Sequence, residues 1–412
     1  MRICHIITRL IVGGAQENTL LTCEGLHARG HEVTLISGPE TGPEGSLLAA
    51  ARAGGYRLEI VDALRRAVRL RMDRRARRDL ARLLADLAPD VVHTHSSKAG
   101  ILGRWAARDA GVPVIVHTIH GMSFNRTQPW FVRAVYRLLE RSCADYTDAI
   151  VTVANAMTDQ AVAAGLADRG KFVTVYSGMR TDLFSPGRYD RRETRRAWGV
   201  GEDDVVVGTI ARLFRNKGYE QLIPAMRYAC EREPRLRFVW VGDGAHRARY
   251  ERWLARLGLR GRVVLTGLVQ PEQVPRLLAG MDVLVHASQW EGLPRAVVQA
   301  LLMEVPAVSF DVDGAPEVIN PRTGVLVPLN DTTKLAEAMI ELARDATLRA
   351  ELGRNGRVWC LARFDWRAMV DQLEALYNRL AERASENPEI TAAKRRCRAG
   401  VRTHAEPPGG GA

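Results

Sequence analysis

Short apolar runs alternate with longer stretches of helical spacing along most of this chain. Residues 4–8 are apolar and strand-like, Gly13-Gly14 interrupts them, and residues 16–29 follow with Leu20, Leu21 and Leu26 at helical intervals. Gly30-His31 closes that helix, and residues 33–36 read as the next strand. Further strand-like runs fall at residues 91–93, 114–117, 149–153 and 172–175, with helical stretches between them. The series then restarts. A strand at 205–210, a helix over 218–232, a strand at 237–241 and a helix over 247–257 lead into runs at 263–265, 283–285 and 307–310. Strands separated by helices predict parallel βαβ units and doubly wound sheets, here in two tandem α/β domains. The junction is expected at residues 179–192, where Thr, Asp, Ser, Pro and Gly gather. Residues 332–352 and 366–383 read as amphipathic helices.

Against this pattern one segment carries unusual polar chemistry. In Trp290-Glu291-Gly292-Leu293-Pro294-Arg295-Ala296-Val297-Val298-Gln299 an acid sits in a Gly/Pro turn, and a second polar group follows eight positions later on an apolar helix. A fully helical step of that length rises roughly 12 Å and turns ~80° beyond two full turns. The two groups would share a face, too far apart for one metal ion or a carboxylate pair but suited to the two ends of an extended ligand. Pro294 fits the first helical position, and the helix start behind it favours phosphate. A second element runs from Gly208 to Gly218. There a strand ends, and Arg212 and Lys217 follow in a loop that opens a helix; a planar fork and a point charge suit a pyrophosphate.

The first half is less explicit. Gly13-Gly14-Ala15-Gln16-Glu17-Asn18 is not a G-x-G-x-x-G fingerprint, which argues against a dinucleotide oxidoreductase. His93, His95, His117 and His120 fall near the C-terminal ends of predicted strands, where ligand sites gather. No Cys or carboxylate stands at ligand spacing beside them, which disfavours zinc. Asp311-Val312-Asp313 spells a D-x-D tripeptide, but its setting reads as a turn with Asp313 or Gly314 near a helix cap.

Taken in order, these motifs resemble glycosyltransferase family 4 over roughly residues 1–383. The resemblance implies the GT-B arrangement: two Rossmann-like doubly wound domains facing a central cleft, with a C-terminal helix returning toward the first domain. The expected divisions are residues 1–182 for the acceptor, 183–365 for the nucleotide sugar, 366–384 for the crossover helix and 385–412 for a disordered basic tail. It also implies roles. Arg212 and Lys217 would bind the donor diphosphate and Glu291 the sugar, with the backbone of Gly292, Leu293 and Pro294 completing the cradle. Leu268 and Val269 would meet the nucleobase, and Gly13 and Gly14 would form a loop near the donor phosphates. His120 would stand near the transferred sugar; His95 and Ser96 are placed on the acceptor side. Gln299 departs from the family pattern, which has a glutamate there accepting from the ribose hydroxyls.

The implied activity is metal-independent, cofactor-free and retaining. It transfers a hexose from a nucleotide sugar to a glycan or lipid-linked acceptor in envelope polysaccharide or glycolipid synthesis. Two alternatives stay open: a weakly active or inactive nucleotide-sugar-binding scaffold at the membrane, suggested by Gln299, and a nucleotide-sugar 2-epimerase.

Charge adds a question about partners. The net charge is +12, and only five of the 59 basic residues are lysine, which either reflects base composition or marks contact with something anionic. Eight arginines lie between Arg65 and Arg78, interleaved with Val68, Leu70 and Met72; a second basic-aromatic stretch holds Arg126, Trp130, Phe131 and Tyr136. Each separately reads as a solvated helix face, and together they suggest an anionic membrane surface; no recognised motif supports nucleic acid. Scattered cysteines, the lack of an ~18-residue apolar run and a strand starting at once after Met1 predict a reduced, cytoplasmic protein, which the two basic stretches would place on the inner face of the plasma membrane.

Overall fold

The computed structural model describes residues 1–39, 44–124 and 128–386. Arg126 and, beyond Glu386, the expected basic tail lie outside the described residues. The chain divides into two units, one made of Met1–Tyr176 and the chain from Arg367 onward, the other of Ser177–Trp366.

In the first unit seven strands form one parallel sheet. They are β1 (Arg2–Ile7), β2 (Glu32–Ser37), β3 (Arg57–Ile60), β4 (Val91–His95), β5 (Val114–Ile119), β6 (Ala149–Thr152) and β7 (Phe172–Thr174), in the order β3-β2-β1-β4-β5-β6-β7. β1, β2, β4, β5 and β6 are buried along almost their whole length, as expected for strands covered on both faces. Ile6, Ile36, Val92 and Ile115 from the sheet meet Leu80, Leu84 and Leu102 from the covering helices in one core.

The second unit repeats the plan with six strands: β8 (Val205–Ile210), β9 (Leu236–Val241), β10 (Val263–Gly267), β11 (Val283–His286), β12 (Ala307–Phe310) and β13 (Gly324–Val327), ordered β10-β9-β8-β11-β12-β13. Its core joins Phe238, Trp240, Val283 and Phe310 with Leu222, Met226, Leu335 and Met339. In each sheet the strand order reverses once, between β1 and β4 and between β8 and β11. A crevice opens outside the strand ends at such a reversal, the usual ligand position in open α/β sheets.

The final helix, Trp366–Glu386, is held in the first unit from its second residue. Asn18 Nδ2 donates to Met369 Sδ (3.0 Å), Arg29 pairs with Asp371 and Glu374 (2.6 Å each), and Tyr377 is fully buried. Residues 332–352, read as one helix, are two: Thr332–Arg344 and Ala346–Arg363. Asp345 leaves the helical region between them, and its carboxylate accepts the Leu348 N–H at 2.8 Å, capping the second helix.

Candidate functional site

In the second unit the functional groups gather where β8 and β11 end. The loop after β8 carries Arg212 and a short 3-10 turn, Arg215–Lys217. Gly218 ends that turn at φ 72°, and a Cβ there would stand 1.7 Å from the Ala287 carbonyl oxygen. Only glycine lets this loop lie so close to the one after β11. The Gln289 N–H donates to the Asn216 carbonyl at 2.9 Å and joins the two loops.

This contact delivers Lys217 to Glu291. Lys217 Nζ lies 2.5 Å from Glu291 Oε1, and His286 Nε2, at the end of β11, donates to the same oxygen at 3.0 Å. All three side chains are at most 16% exposed. Burial pushes the Glu291 pKa up, but the Lys217 charge and the His286 hydrogen bond outweigh it and hold the carboxyl well below the usual carboxylate range. Glu291 is therefore an anion at any physiological pH. Its backbone is fixed as well, since the Glu291 N–H donates to Asp313 Oδ2 at 2.6 Å. Asp313 takes φ 48° just before Gly314, which caps the short helix Ala315–Val318. The tripeptide turn thus positions the sugar-binding candidate through Asp313.

The neighbouring helix runs from Arg295 to Leu302 with Pro294 as its cap residue, one position later than expected. Only four of the eight steps from Glu291 to Gln299 are helical, so the helical rise between them is ~6 Å rather than ~12 Å. Gln299 is 9% exposed on this helix, and Gly292, Leu293 and Pro294 are buried in the turn. Arg212 lies on the Lys217 loop with its guanidinium 5.1 Å from the Phe214 ring centre. Leu268 and Val269 follow β10, with Leu268 40% exposed.

A second polar cluster occupies the reversal in the first unit. His5 on β1 faces His95 on β4, Nδ1 to Nε2 at 2.9 Å, and His95 Nδ1 lies 3.0 Å from His120 Nε2. His93 is hydrogen-bonded on both sides, to Tyr377 Oη at 2.5 Å and Thr118 Oγ1 at 2.6 Å. His117 Nδ1 meets Thr94 Oγ1 at 2.9 Å. Burial holds His5, His93, His95 and His117 below the ordinary histidine pKa, His5 down to about 3; Arg104 deepens the shift of His117, and protonating any one ring would oppose protonation of His93 and His95 beside it. Ring nitrogens of His5, His93 and His95 lie within 4.8 Å of one another, near enough for a metal ion. Both nitrogens of His93 and of His95 already have hydrogen-bond partners, however, and only His5 Nε2 lacks one. The trio is a packed cluster of neutral rings, with His5 stacked on His95.

Beside it a cavity of about 210 Å³ is lined by Ser96, Ser97, Thr118, His120, Gly121 and Ser123, among others. Ser96 caps the helix Ser97–Asp109 at φ 62°, a conformation costing about 1–3 kcal/mol for a non-glycine residue. Thr8 Oγ1, 2.8 Å from Ser96 Oγ, also accepts the Ala99 N–H at 3.1 Å. His95, Ser96 and His120 are thus neighbours, as are Lys217 and Glu291. Gly13 and Gly14 stand at the start of the helix Gly14–Ala28.

Sequence reasoning passed over His5, His286 and Tyr377, and read Asp313 only as part of a turn near a helix cap. His286 and the predicted His95 share one signal, a polar residue at the C-terminal end of a central strand. Asp313 and Tyr377 carry no local signal, because their partners lie 22 and 284 positions away.

Two family descriptions match: "Glycosyl transferase 4-like domain" over residues 13–178 and "Glycosyl transferases group 1" over residues 190–359. The chain is 29% identical over 382 residues to the UDP-Gal:alpha-D-GlcNAc-diphosphoundecaprenol alpha-1,3-galactosyltransferase of Escherichia coli, covering 92% of this chain and 96% of that one. It is 30% identical over 308 residues to EpsD of Bacillus subtilis strain 168, covering 73% and 79%. Among solved structures, HepE of Anabaena in complex with UDP and glucose superposes with a TM-score of 0.80 at 20% identity, covering 92% of this chain and 99% of that one.

Proposed function

This chain belongs to glycosyltransferase family 4, with the GT-B fold, and we propose that it is a retaining, metal-independent hexosyltransferase. It takes a hexose from a nucleoside diphosphate and passes it to a glycan or lipid-linked acceptor at the inner face of the plasma membrane. The observation carrying this reading is the cluster at the β8/β11 reversal, where Lys217, His286 and the anionic Glu291 converge on the loop that also bears Arg212. In the free protein Lys217 and Glu291 neutralise each other. A bound donor exchanges that pairing, taking Lys217 and Arg212 on its diphosphate and Glu291 on the sugar hydroxyls.

Transfer with retention follows from one-sided displacement. The anomeric carbon–oxygen bond breaks with its electron pair going to the departing diphosphate. The acceptor hydroxyl attacks from the same face, and its proton passes to a phosphate oxygen. Arg212 and Lys217 stabilise the charge growing on the diphosphate, the largest single contribution in such reactions. His120, set by His95, lines the first unit's cavity and is assigned to the transferred sugar, with His95 and Ser96 toward the acceptor. The scaffold alternative draws no support from the relatives, and Arg212, Lys217 and Glu291 are all retained in the sequence.

The Escherichia coli relative is named for UDP-galactose and a diphosphoundecaprenol-linked acceptor. A uridine diphosphate hexose and a polyprenyl-diphosphate-linked sugar are therefore the first substrates to test. Product analysis by proton NMR should show an α-linked sugar from an α-linked donor, with the rate unchanged by EDTA. An inverted product, or loss of activity restored by a divalent ion, overturns the mechanism.

Gln299 gives a second expectation. A neutral side chain facing the ribose costs on the order of 1–2 kcal/mol in donor binding relative to a carboxylate. Because the position is 9% exposed, a charge placed there is itself costly until a ligand hydroxyl pairs with it. Gln299→Glu should lower the melting temperature of the free protein, enlarge the rise produced by the nucleoside diphosphate, and leave kcat within about twofold. A tenfold fall in kcat would assign Gln299 to another substrate group.

A further inference from the structure

Three successive crossovers in the first unit, β3 to β4, β4 to β5 and β5 to β6, advance in the same direction along the sheet. Right-handed connections then place the helices Leu70–Leu87, Ser97–Asp109 and Trp130–Ala144 on one face. The outer two pack on the middle one. Arg77 holds the first through a two-pronged contact with Asp109 (2.6 and 2.7 Å), and Glu140 holds the third through a buried ion pair with Arg104.

What these helices turn outward is unusual. Arg71, Arg74, Arg75, Arg78 and Arg82 are all exposed and fall within an arc of about 100° on the first helix. Arg75 has Asp79 at 3.5 Å; among the described residues Arg71, Arg74, Arg78 and Arg82 have no ion pair. The other acid near the start of that helix, Asp73, is occupied by Lys98 at 2.6 Å. Just before the stripe, Val68 and Leu70 are 69% and 76% exposed. The third helix is amphipathic in the opposite sense to a buried helix. Phe131, Val135 and Leu138, on one arc with Ala134, are 56%, 55% and 68% exposed, and Trp130 beside them is 77% exposed. Exposed Arg137 and Arg141 flank this apolar strip.

We propose that this helical layer is the surface by which the protein docks on an anionic bilayer, the arginine stripe lying against lipid headgroups and the strip from Trp130 to Leu138 entering the acyl boundary. A row of mostly unpaired cations on one outer helix and an exposed aliphatic-aromatic strip on the other have the composition of an interfacial surface. Nucleic acid fits the arginines but gives Val135 and Leu138 nothing to stack on. A second copy of the chain, docked face to face, would set one arginine stripe against another. The docking reading draws on the proposed lipid-linked acceptor for its purpose, but its evidence is independent of the transfer site.

The test is flotation of the full chain with vesicles of phosphatidylcholine alone and with 30% phosphatidylglycerol. The protein should float with the anionic vesicles and stay in solution with the neutral ones. Each arginine near such a surface contributes roughly fivefold in partitioning, so Arg71→Gln, Arg74→Gln, Arg78→Gln and Arg82→Gln combined should weaken binding by about 100-fold or more. Phe131→Ser with Val135→Ser and Leu138→Ser should leave weak binding that 0.5 M salt abolishes. Equal binding to neutral vesicles, parent-like binding by the arginine variant, or capture of single-stranded RNA that anionic vesicles do not compete away each overturns the proposal. Slow hydrolysis of the nucleotide sugar without acceptor reports the transfer site separately. It should be unchanged in both variants, and its absence from the parent would count against the function proposed above and not against the docking surface.

Discussion

Lys217→Ala should reduce sugar transfer by about a thousandfold, the loss expected when one preorganised charge facing a developing oxyanion is removed. The structure adds a second consequence. Lys217 is 2.5 Å from a carboxylate that is 15% exposed, so its removal leaves a mostly buried anion with only the His286 hydrogen bond to offset it and costs about 3 kcal/mol of stability. In a unit of this size that lowers the melting temperature by roughly 6–12 °C. Lys217→Arg keeps the charge and should recover most of the stability but little of the rate, because the turn closed by Gly218 positions a compact ammonium group. Arg212→Ala, whose guanidinium rests against Phe214, should lose a comparable factor in turnover with a smaller change in melting temperature. Transfer rates and thermal melts on the same samples distinguish these cases. Normal transfer by both alanine variants would show that the diphosphate binds elsewhere.

The other large effect is on stability against acid. His5, His93, His95 and His117 are held neutral by burial, with pKa values below the ordinary 6.5. Above pH 6.5 they are neutral in the folded and the unfolded chain and stability does not depend on them. Below pH 6.5 the unfolded chain binds protons that the folded chain refuses. Each such group then removes about 1.4 kcal/mol per pH unit, until its folded pKa is reached, near 3 for His5. Four together approach about 5.5 kcal/mol per pH unit, against a typical domain stability of about 5–15 kcal/mol. Glu291, whose pKa is depressed, loses its contribution only below the carboxylate value of 4.5, so the interval from pH 6.5 to 5 isolates the histidines. Urea midpoints should be level from pH 8 to 7 and fall steeply below 6.5. His93→Gln, which can still bond Tyr377 and Thr118, should reduce the slope by about a quarter. A midpoint unchanged down to pH 5 would mean that the rings take up protons inside the fold.

These residues also show how far the sequence could be read. The central strands were legible because burial on both faces forces apolar runs, as in Val205-Val206-Val207 and Val114-Ile115-Val116. The edges were not. β3 reads Arg-Leu-Glu-Ile and is half exposed, so it lacks the apolar run that marks a strand; β13 has only the three residues Val325-Leu326-Val327 behind a glycine, and was passed over. The break at Asp345 was missed because apolar periodicity continues across it and the cap reveals itself only through its bond to Leu348.

By itself, the sequence determined the kinds of element, the repetition of one α/β plan and the residue types of the donor motif, all matters of spacing within a dozen or two residues. Tertiary structure alone decided what those residues meet. Lys217 and Glu291 are 74 positions apart. They touch because β8 and β11 are neighbours at a strand-order reversal and because Gly218 has no side chain to keep the two loops apart. His93 reaches Tyr377 across 284 positions through the return of the last helix, and Glu291 owes its backbone support to an aspartate in what read as a plain turn. Periodicity follows from local backbone geometry, whereas these contacts depend on strand order and helix return, which no spacing within a segment encodes.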